Sequence, residues 1–156
     1  MQGPHSPVQW YKSIWDNWNV PKHSFIGWLI QHEALNTWAK LFQWGLCETT
    51  NCVLCEHGEE SHDHLFKDCL YSAQILAGIE QWLQLSLDGS GNYSKLQRKV
   101  CRMAKLACWY IIWHEGNPCR IEMKLRRPVQ ILRELQMMLH SRILQKMEKH
   151  ACLESR

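Results

Sequence analysis

The chain has 156 residues, 46% of them hydrophobic and 21% charged, which is the composition of a globular protein and not of a disordered one. Its length suits one domain, or one domain with a helical extension. The longest apolar run, Leu106 to Trp113, falls far short of the ~20 residues a membrane span needs, and Met1 to Pro7 hold no apolar signal core, so the reading is an intracellular protein, nuclear or cytoplasmic, neither secreted nor membrane-bound.

In chain order, Trp10, Ile14 and Trp18 stand at i, i+4 and i+8 and predict a short helix within residues 8–20. Pro21 ends it or opens the next element, a helix to Leu35 whose face carries Phe25, Trp28, Leu29 and His32. A third helix is expected from Asn36 to Trp44, capped by Asn36 or Thr37 and closed by Gly45, with Trp38, Leu41 and Phe42 on its apolar face. Six of the nine tryptophans precede Gly45, which predicts an aromatic-rich, well-packed N-terminal part. Residues 46–63 are irregular and read as a loop or short hairpin. A helix then runs from His64 through Leu87, with a break expected near Tyr71.

Asp88-Gly89-Ser90-Gly91-Asn92 reads as a flexible joint. Beyond it, Leu96, Val100, Met103, Ala104, Ala107, Tyr110 and Ile111 mark a long helix ending near His114, before a turn at Gly116-Asn117-Pro118. A last helix opens near Pro128, with Ile131, Leu135, Leu139, Ile143 and Met147 repeating every four residues. That stripe either docks on a partner or a second copy of the chain, or packs on helix 95–114 of the same chain, the arrangement preferred here.

The joint coincides with a change of charge sign. Residues 1–94 carry four basic and ten acidic side chains, a net −6; residues 95–156 carry fourteen basic and five acidic, a net +9. A basic half suggests an acidic partner, RNA or DNA among them, or docking of the two halves on each other. The candidate phosphate contacts are Lys95, Arg98, Lys99, Arg102 and Lys105, then Arg120, Lys124, Arg126 and Arg127. The first five span several faces of one helix, so only some of them can meet a single strand.

Three of the eight cysteines cluster with histidines in the pattern Cys52-x2-Cys55-x8-His64-x4-Cys69. In a reducing compartment this spacing points to metal and not to disulfides. A Cys-x2-Cys turn presents two thiolates to one ion, and a His and a Cys from the next segment complete a tetrahedron. Thiolates with one imidazole select zinc over magnesium or calcium, and four protein ligands leave no position for water, so the Zn2+ expected here is single and structural. His62 can replace His64, and Cys47 can replace Cys52; the alternative to a metal site is a set of ordinary loop thiols. Cys47, Cys101, Cys108, Cys119 and Cys152 otherwise read as free thiols. No GxSxG, P-loop, HExxH or deaminase pattern is present, and His62-Asp63 beside Glu59 and Glu60 is the nearest approach to an acid–base pair, so no enzymatic activity is expected.

Several blocks taken together carry a resemblance: Ile14-Trp15, Val20-Pro21-Lys22-His23-Ser24-Phe25, Trp28-Leu29, Leu35-Asn36-Thr37, Trp44-Gly45, Cys52-Val53-Leu54-Cys55, and Glu60 through Cys69. From Trp10 to Trp82 the chain resembles the zinc-binding domain at the C-terminal end of plant non-LTR (LINE-type) retrotransposon reverse transcriptases. The resemblance implies metal positions at Cys52, Cys55, His64 and Cys69, and so selects His64 over His62. Tyr110 through Asn117 is similar, more loosely, to the stretch that follows that domain, with Gly116 where arginine is usual. No paired-aspartate polymerase motif is present, so the chain looks like a stand-alone or domesticated tail, with a nucleic-acid context implied by the family.

The expected architecture is mostly α: a small helical domain organised by a Cys3His zinc site (residues 1–87), a flexible joint (88–94), and a basic helical extension (95–156) packed on it. The expected function is a non-catalytic module that binds nucleic acid, with a protein-interaction module acting through Ile131, Leu135, Leu139 and Ile143 as the alternative.

Overall fold

The computed structural model describes residues 10–122 and 124–154; the side chains of Trp10, Cys119 and Arg120, named above, lie outside the described residues. The chain is mostly helical. Among the described residues the one strand-like feature is an isolated antiparallel bridge between Asn51 and Glu59. Six α-helices follow in order: α1 (Trp10–Ile14), α2 (Pro21–Gln31), α3 (Trp38–Gln43), α4 (Leu70–Leu83), α5 (Lys95–Glu122) and α6 (Pro128–Glu154), with a π-helical turn at His64–Asp68 before α4.

Pro21 opens α2 after an extended Val20, as its fixed φ and missing N–H favour. The helix stops at Gln31, short of the expected Leu35, because Glu33 enters the left-handed region (φ 49°) and the N–H of Ala34 folds back onto the Leu29 carbonyl at 2.8 Å. That turn delivers Leu35 into the core. Thr37 stands at the N-cap of α3 with extended backbone but gives no side-chain cap. The Trp38 N–H is met instead by the buried carboxylate of Glu60 at 3.3 Å. Gly45, at φ 69°, closes α3 as its sequence position suggests.

The long final helices differ from expectation in one place. The sequence Gly116-Asn117-Pro118 does not turn; α5 continues through it to Glu122. Ile111, Ile112 and Glu115 are buried along one face up to that point. The Glu115 carboxylate accepts a bond from Arg126 Nε at 2.9 Å, which ties the end of α5 to the segment leading into α6. Tertiary contact here overrides the local preference of Gly and Pro.

The core is chiefly aliphatic. Its fully buried side chains include Leu65, Ile75, Ile79, Met103, Ile112, Ile131 and Leu139. Trp18 is buried, but Trp15 and Trp44 are 46% and 58% exposed, so the tryptophans fill less of the interior than their number predicts. One continuous cluster runs from Leu35 through the Cys52–Cys69 region into α5 and α6. α5 lies against α2 and α4, and α6 against α4 and α5. Gly27 on α2 permits the closest approach: a Cβ there would stand 2.3 Å from Leu106 Cδ2 of α5.

The stripe on α6 is interior over Ile131, Leu135 and Leu139, whereas Met147 at its end is 46% exposed. Ile131, Leu135 and Leu139 are 0%, 2% and 1% exposed and Ile143 is half-buried. Packing on α4 as well as α5 consumes the surface on which the partner or second-copy reading rests, and Leu132 of α6 nests over Gly78 of α4. Arg142 of α6 also donates to the carbonyls of Trp18 and Asn19 at 3.2 and 3.3 Å, pinning α6 to the N-terminal part.

Two predictions come from this packing. Leu135→Ala removes a fully enclosed side chain and is expected to lower unfolding stability by about 2–5 kcal/mol, read from denaturant midpoints of the zinc-saturated protein. His23, 2% exposed and set against the Tyr110 ring at 4.6 Å, is held neutral. Burial, then the charges of Lys22 and Arg142, push its pKa down to about 4. The unfolded chain takes up that proton near pH 6.5, so the stability His23 confers is present above 6.5 and drains away as pH falls toward 4. Between pH 7 and 5, His23→Leu is expected to lose about 1–2 kcal/mol less stability than the parent.

Candidate metal centre

The site is built from a tight loop and the π turn. The bridge between Asn51 and Glu59 closes the loop, with Cys52 N–H on the Gly58 carbonyl at 3.0 Å and Glu60 N–H on the Thr50 carbonyl at 2.7 Å. Leu54 is buried and anchors the loop tip to the core. Glu56 and Gly58 take φ of 59° and 74°, which reverse the chain after Cys55. The His64 ring packs beside Gly58, with Cε1 3.4 Å from where a Cβ would stand, an ordinary van der Waals distance.

The π turn solves a geometric problem. His64 and Cys69 are five residues apart, which on an α-helix separates their directions by about 140°. Here the Cys69 N–H bonds the His64 carbonyl at 2.7 Å, an i→i−5 bond that widens the turn. Cys69 then leaves the helical region (φ −66°, ψ 124°) and stands at the N-cap of α4. The break in the expected helix thus falls at Cys69, two residues before Tyr71, and it brings His64 and Cys69 to one point.

The side chains of Cys52, Cys55, His64 and Cys69 converge there, one ligand atom from each lying within 4.8 Å of every other. Cys52 Sγ and Cys69 Sγ are 3.9 Å apart, and Cys55 Sγ and His64 Nε2 are 3.3 Å apart. A tetrahedral zinc ion with Zn–S of ~2.3 Å and Zn–N of ~2.0 Å needs edges of about 3.8 and 3.5 Å, so the set matches the ion in donor chemistry and in spacing. Cys52 and Cys69 are 1% and 0% exposed; Cys55 and His64 form the half-buried side.

The thiols at this point shift one another's pKa in opposite directions. A hydrogen bond from Cys52 pulls the Cys69 thiol down to about 5, and the N–H and hydroxyl of Ser72 act in the same direction against burial. The same bond, with burial, pushes Cys52 up, although the N–H groups of Cys55 and Leu54 oppose it. Burial raises Cys55 as well. The His57 N–H also points at Cys55 Sγ, at 3.4 Å.

The neighbouring donors are turned away. His62 Nε2 accepts the Leu35 N–H at 3.2 Å, and burial first, then Lys40, lowers the pKa of the ring. Cys47 Sγ faces the carbonyls of Trp38 and Thr49 at 3.6 and 3.2 Å. His57 Nδ1 engages the Cys55 carbonyl. Glu60, fully buried, reaches the N–H of Trp38 with one oxygen and that of Val53 with the other at 3.4 Å, clamping α3 to the Cys52–Cys55 loop. Nothing in the run Glu59-Glu60 distinguishes the exposed residue from the clamp, so this role is invisible in the sequence.

The basic candidates separate into different environments. Lys95 and Lys99 flank a groove with Trp18 and Met147. Arg98, Arg102 and Lys105 line a cleft on another side of α5. Arg126 bonds both Glu115 and Glu134, which neutralise it and hold its pKa well above the usual arginine range. Lys124 and Arg127 are exposed, Lys124 with Glu122 at 3.8 Å.

Residues 1–75 match the family described as zinc-binding in reverse transcriptase. The first 75 residues are thus similar to a zinc-binding domain of the reverse-transcriptase type, and the four converging ligands lie within the matched residues. No curated protein and no solved structure matches the chain. Among the described residues no helix is long and apolar enough to cross a membrane.

Substitution separates the convergent ligands from their neighbours. Cys69→Ser is expected to lower the zinc content of the purified protein severalfold, whereas Cys47→Ser and His62→Gln keep it at the parent level by elemental analysis.

Proposed function

We propose that the chain is a non-catalytic module derived from a retrotransposon reverse-transcriptase tail, in which one structural zinc ion holds the N-terminal part and the basic second half binds nucleic acid. The observation that carries the first part is the convergence of three sulfurs and one imidazole at zinc spacing inside the residues matched to a zinc-binding family. Four protein ligands fill a tetrahedron, so the ion would cross-link the Cys52–Cys55 loop to the start of α4 without activating water. Such an ion contributes on the order of 10 kcal/mol to folding in small zinc domains.

The second part rests on charge. The net +9 of residues 95–156 is concentrated on α5 and the segment before α6, and Arg98, Arg102 and Lys105 share one side of α5. The alternative, a protein-interaction module, has lost its strongest support, because Ile131, Leu135 and Leu139 are interior.

Salt distinguishes the two. With three or four phosphate contacts, affinity for a single-stranded oligonucleotide is expected to fall about 20- to 50-fold between 50 and 200 mM salt. Binding that is absent at low salt, or unchanged across that range, overturns the nucleic-acid reading.

A further inference from the structure

Five basic residues of α5 stand close together in sequence, but the fold sorts them. Arg98, Arg102 and Lys105 follow at i, i+4 and i+7, which places them on one side of the helix. All three line a cleft of about 460 Å³ between α5 and the loop that follows α4. That volume lies in the range of sites for small organic ligands, roughly 300–1,000 Å³. Asp88, Gly89, Gly91 and Tyr93 form the facing wall, and Trp109 contributes an aromatic surface.

The wall is ordered by its own bonds. Ser86 N–H donates to the Tyr93 hydroxyl at 2.7 Å, and Asp88 accepts from Ser86 Oγ and Ser90 N–H at 2.8 and 2.7 Å. Gly91 leaves no room for a side chain, since a Cβ would stand 2.1 Å from the Tyr93 ring. Arg98 Nε donates to the Tyr93 carbonyl at 3.0 Å, which fixes the guanidinium at the cleft edge.

Among the described residues none of the three cations forms an ion pair, in contrast to Arg126 with its two carboxylates. Lys105 is half-buried with its ammonium 4.9 Å above the Trp109 ring, and burial lowers its pKa. Asp88 is the single acidic side chain of the lining, so the cleft keeps a surplus of positive charge. Converging unpaired cations beside aromatic rings recognise a phosphate with an attached planar base. Arg102 and Lys105 are half-buried in the cleft and Arg98 stands at its edge, which suits a flexible strand better than a stiff duplex that carries its phosphates on a convex surface.

We propose that this cleft between α5 and residues 87–93 seats a phosphate-bearing nucleotide of a single-stranded nucleic acid, with Arg98, Arg102 and Lys105 on the phosphate and Tyr93 and Trp109 beside the base. The proposal rests on the nucleic-acid reading above and locates it.

The test is fluorescence anisotropy with the full zinc-loaded chain and a labelled oligouridylate of ~15 nucleotides, a length that spans a typical single-strand site. Arg98→Gln and Arg102→Gln are made singly and together, with Arg133→Gln/Lys149→Gln, at exposed positions of α6, as the control outside the cleft. Zinc content and thermal melting verify the fold, and the single variants stand in for the double if it does not fold. The double variant is expected to weaken binding about tenfold or more and to flatten the salt slope by about 1.4, the value for two lost phosphate contacts on a single strand. The control is expected to change it less than about twofold. Equal losses in cleft and control variants overturn the proposal while leaving nucleic-acid binding in place. No binding by the parent chain overturns both. A duplex that binds as tightly as the strand, or free uridine monophosphate that competes as well as the strand, overturns the assignment to a single strand.

Discussion

The bond from the Cys69 N–H to the His64 carbonyl is the constraint on which the rest of the structure turns. At i→i−5 it widens one helical turn just enough for an imidazole and a thiol five residues apart to face the same point. It also delivers Cys69 to the start of α4, so the same residue closes the metal site and begins the helix that carries Ile75 and Ile79 into the core. A metal ion held by the four ligands would join the Cys52–Cys55 loop, a segment poor in regular structure, to the start of α4.

Around that point the polar groups divide the work. Glu60 spends both oxygens on backbone N–H groups and ties α3 to the loop. His62 spends its Nε2 on Leu35, at the end of α2. Residues that look like spare ligands or acid–base groups in the sequence are thus structural acceptors. Each accepts a hydrogen bond from a backbone donor in a partly buried place. The arrangement also explains why one histidine of the pair His62 and His64 can serve the metal set: the other is already occupied.

Packing decides how the two oppositely charged halves meet. Contact between them is mainly apolar and close, with Gly27 beneath Leu106 and Gly78 beneath Leu132. Charge complementarity enters at the edges, where Arg142 reaches backbone carbonyls of the N-terminal part. The halves meet through apolar side chains, and among the described residues the basic side chains of α5 form no ion pair. Arg126, beyond the end of α5, is instead drawn into the turn between α5 and α6 by two carboxylates.

The amino-acid sequence by itself determined the helical class, the Cys-x2-Cys and His-x4-Cys ligand pattern, the N-terminal start of α2 at Pro21 and that of α6 at Pro128. These are local matters of periodicity, of proline geometry and of donor spacing. Only the tertiary structure decided the π turn, the passage of α5 through Gly116 and Pro118, the burial of the α6 stripe, the exposure of Trp15 and Trp44, and the sorting of five basic residues onto different sides of α5. Each of those depends on what a side chain meets from a distant part of the chain, and burial against such a neighbour outweighs the fraction of a kcal/mol to a few kcal/mol by which local propensity differs.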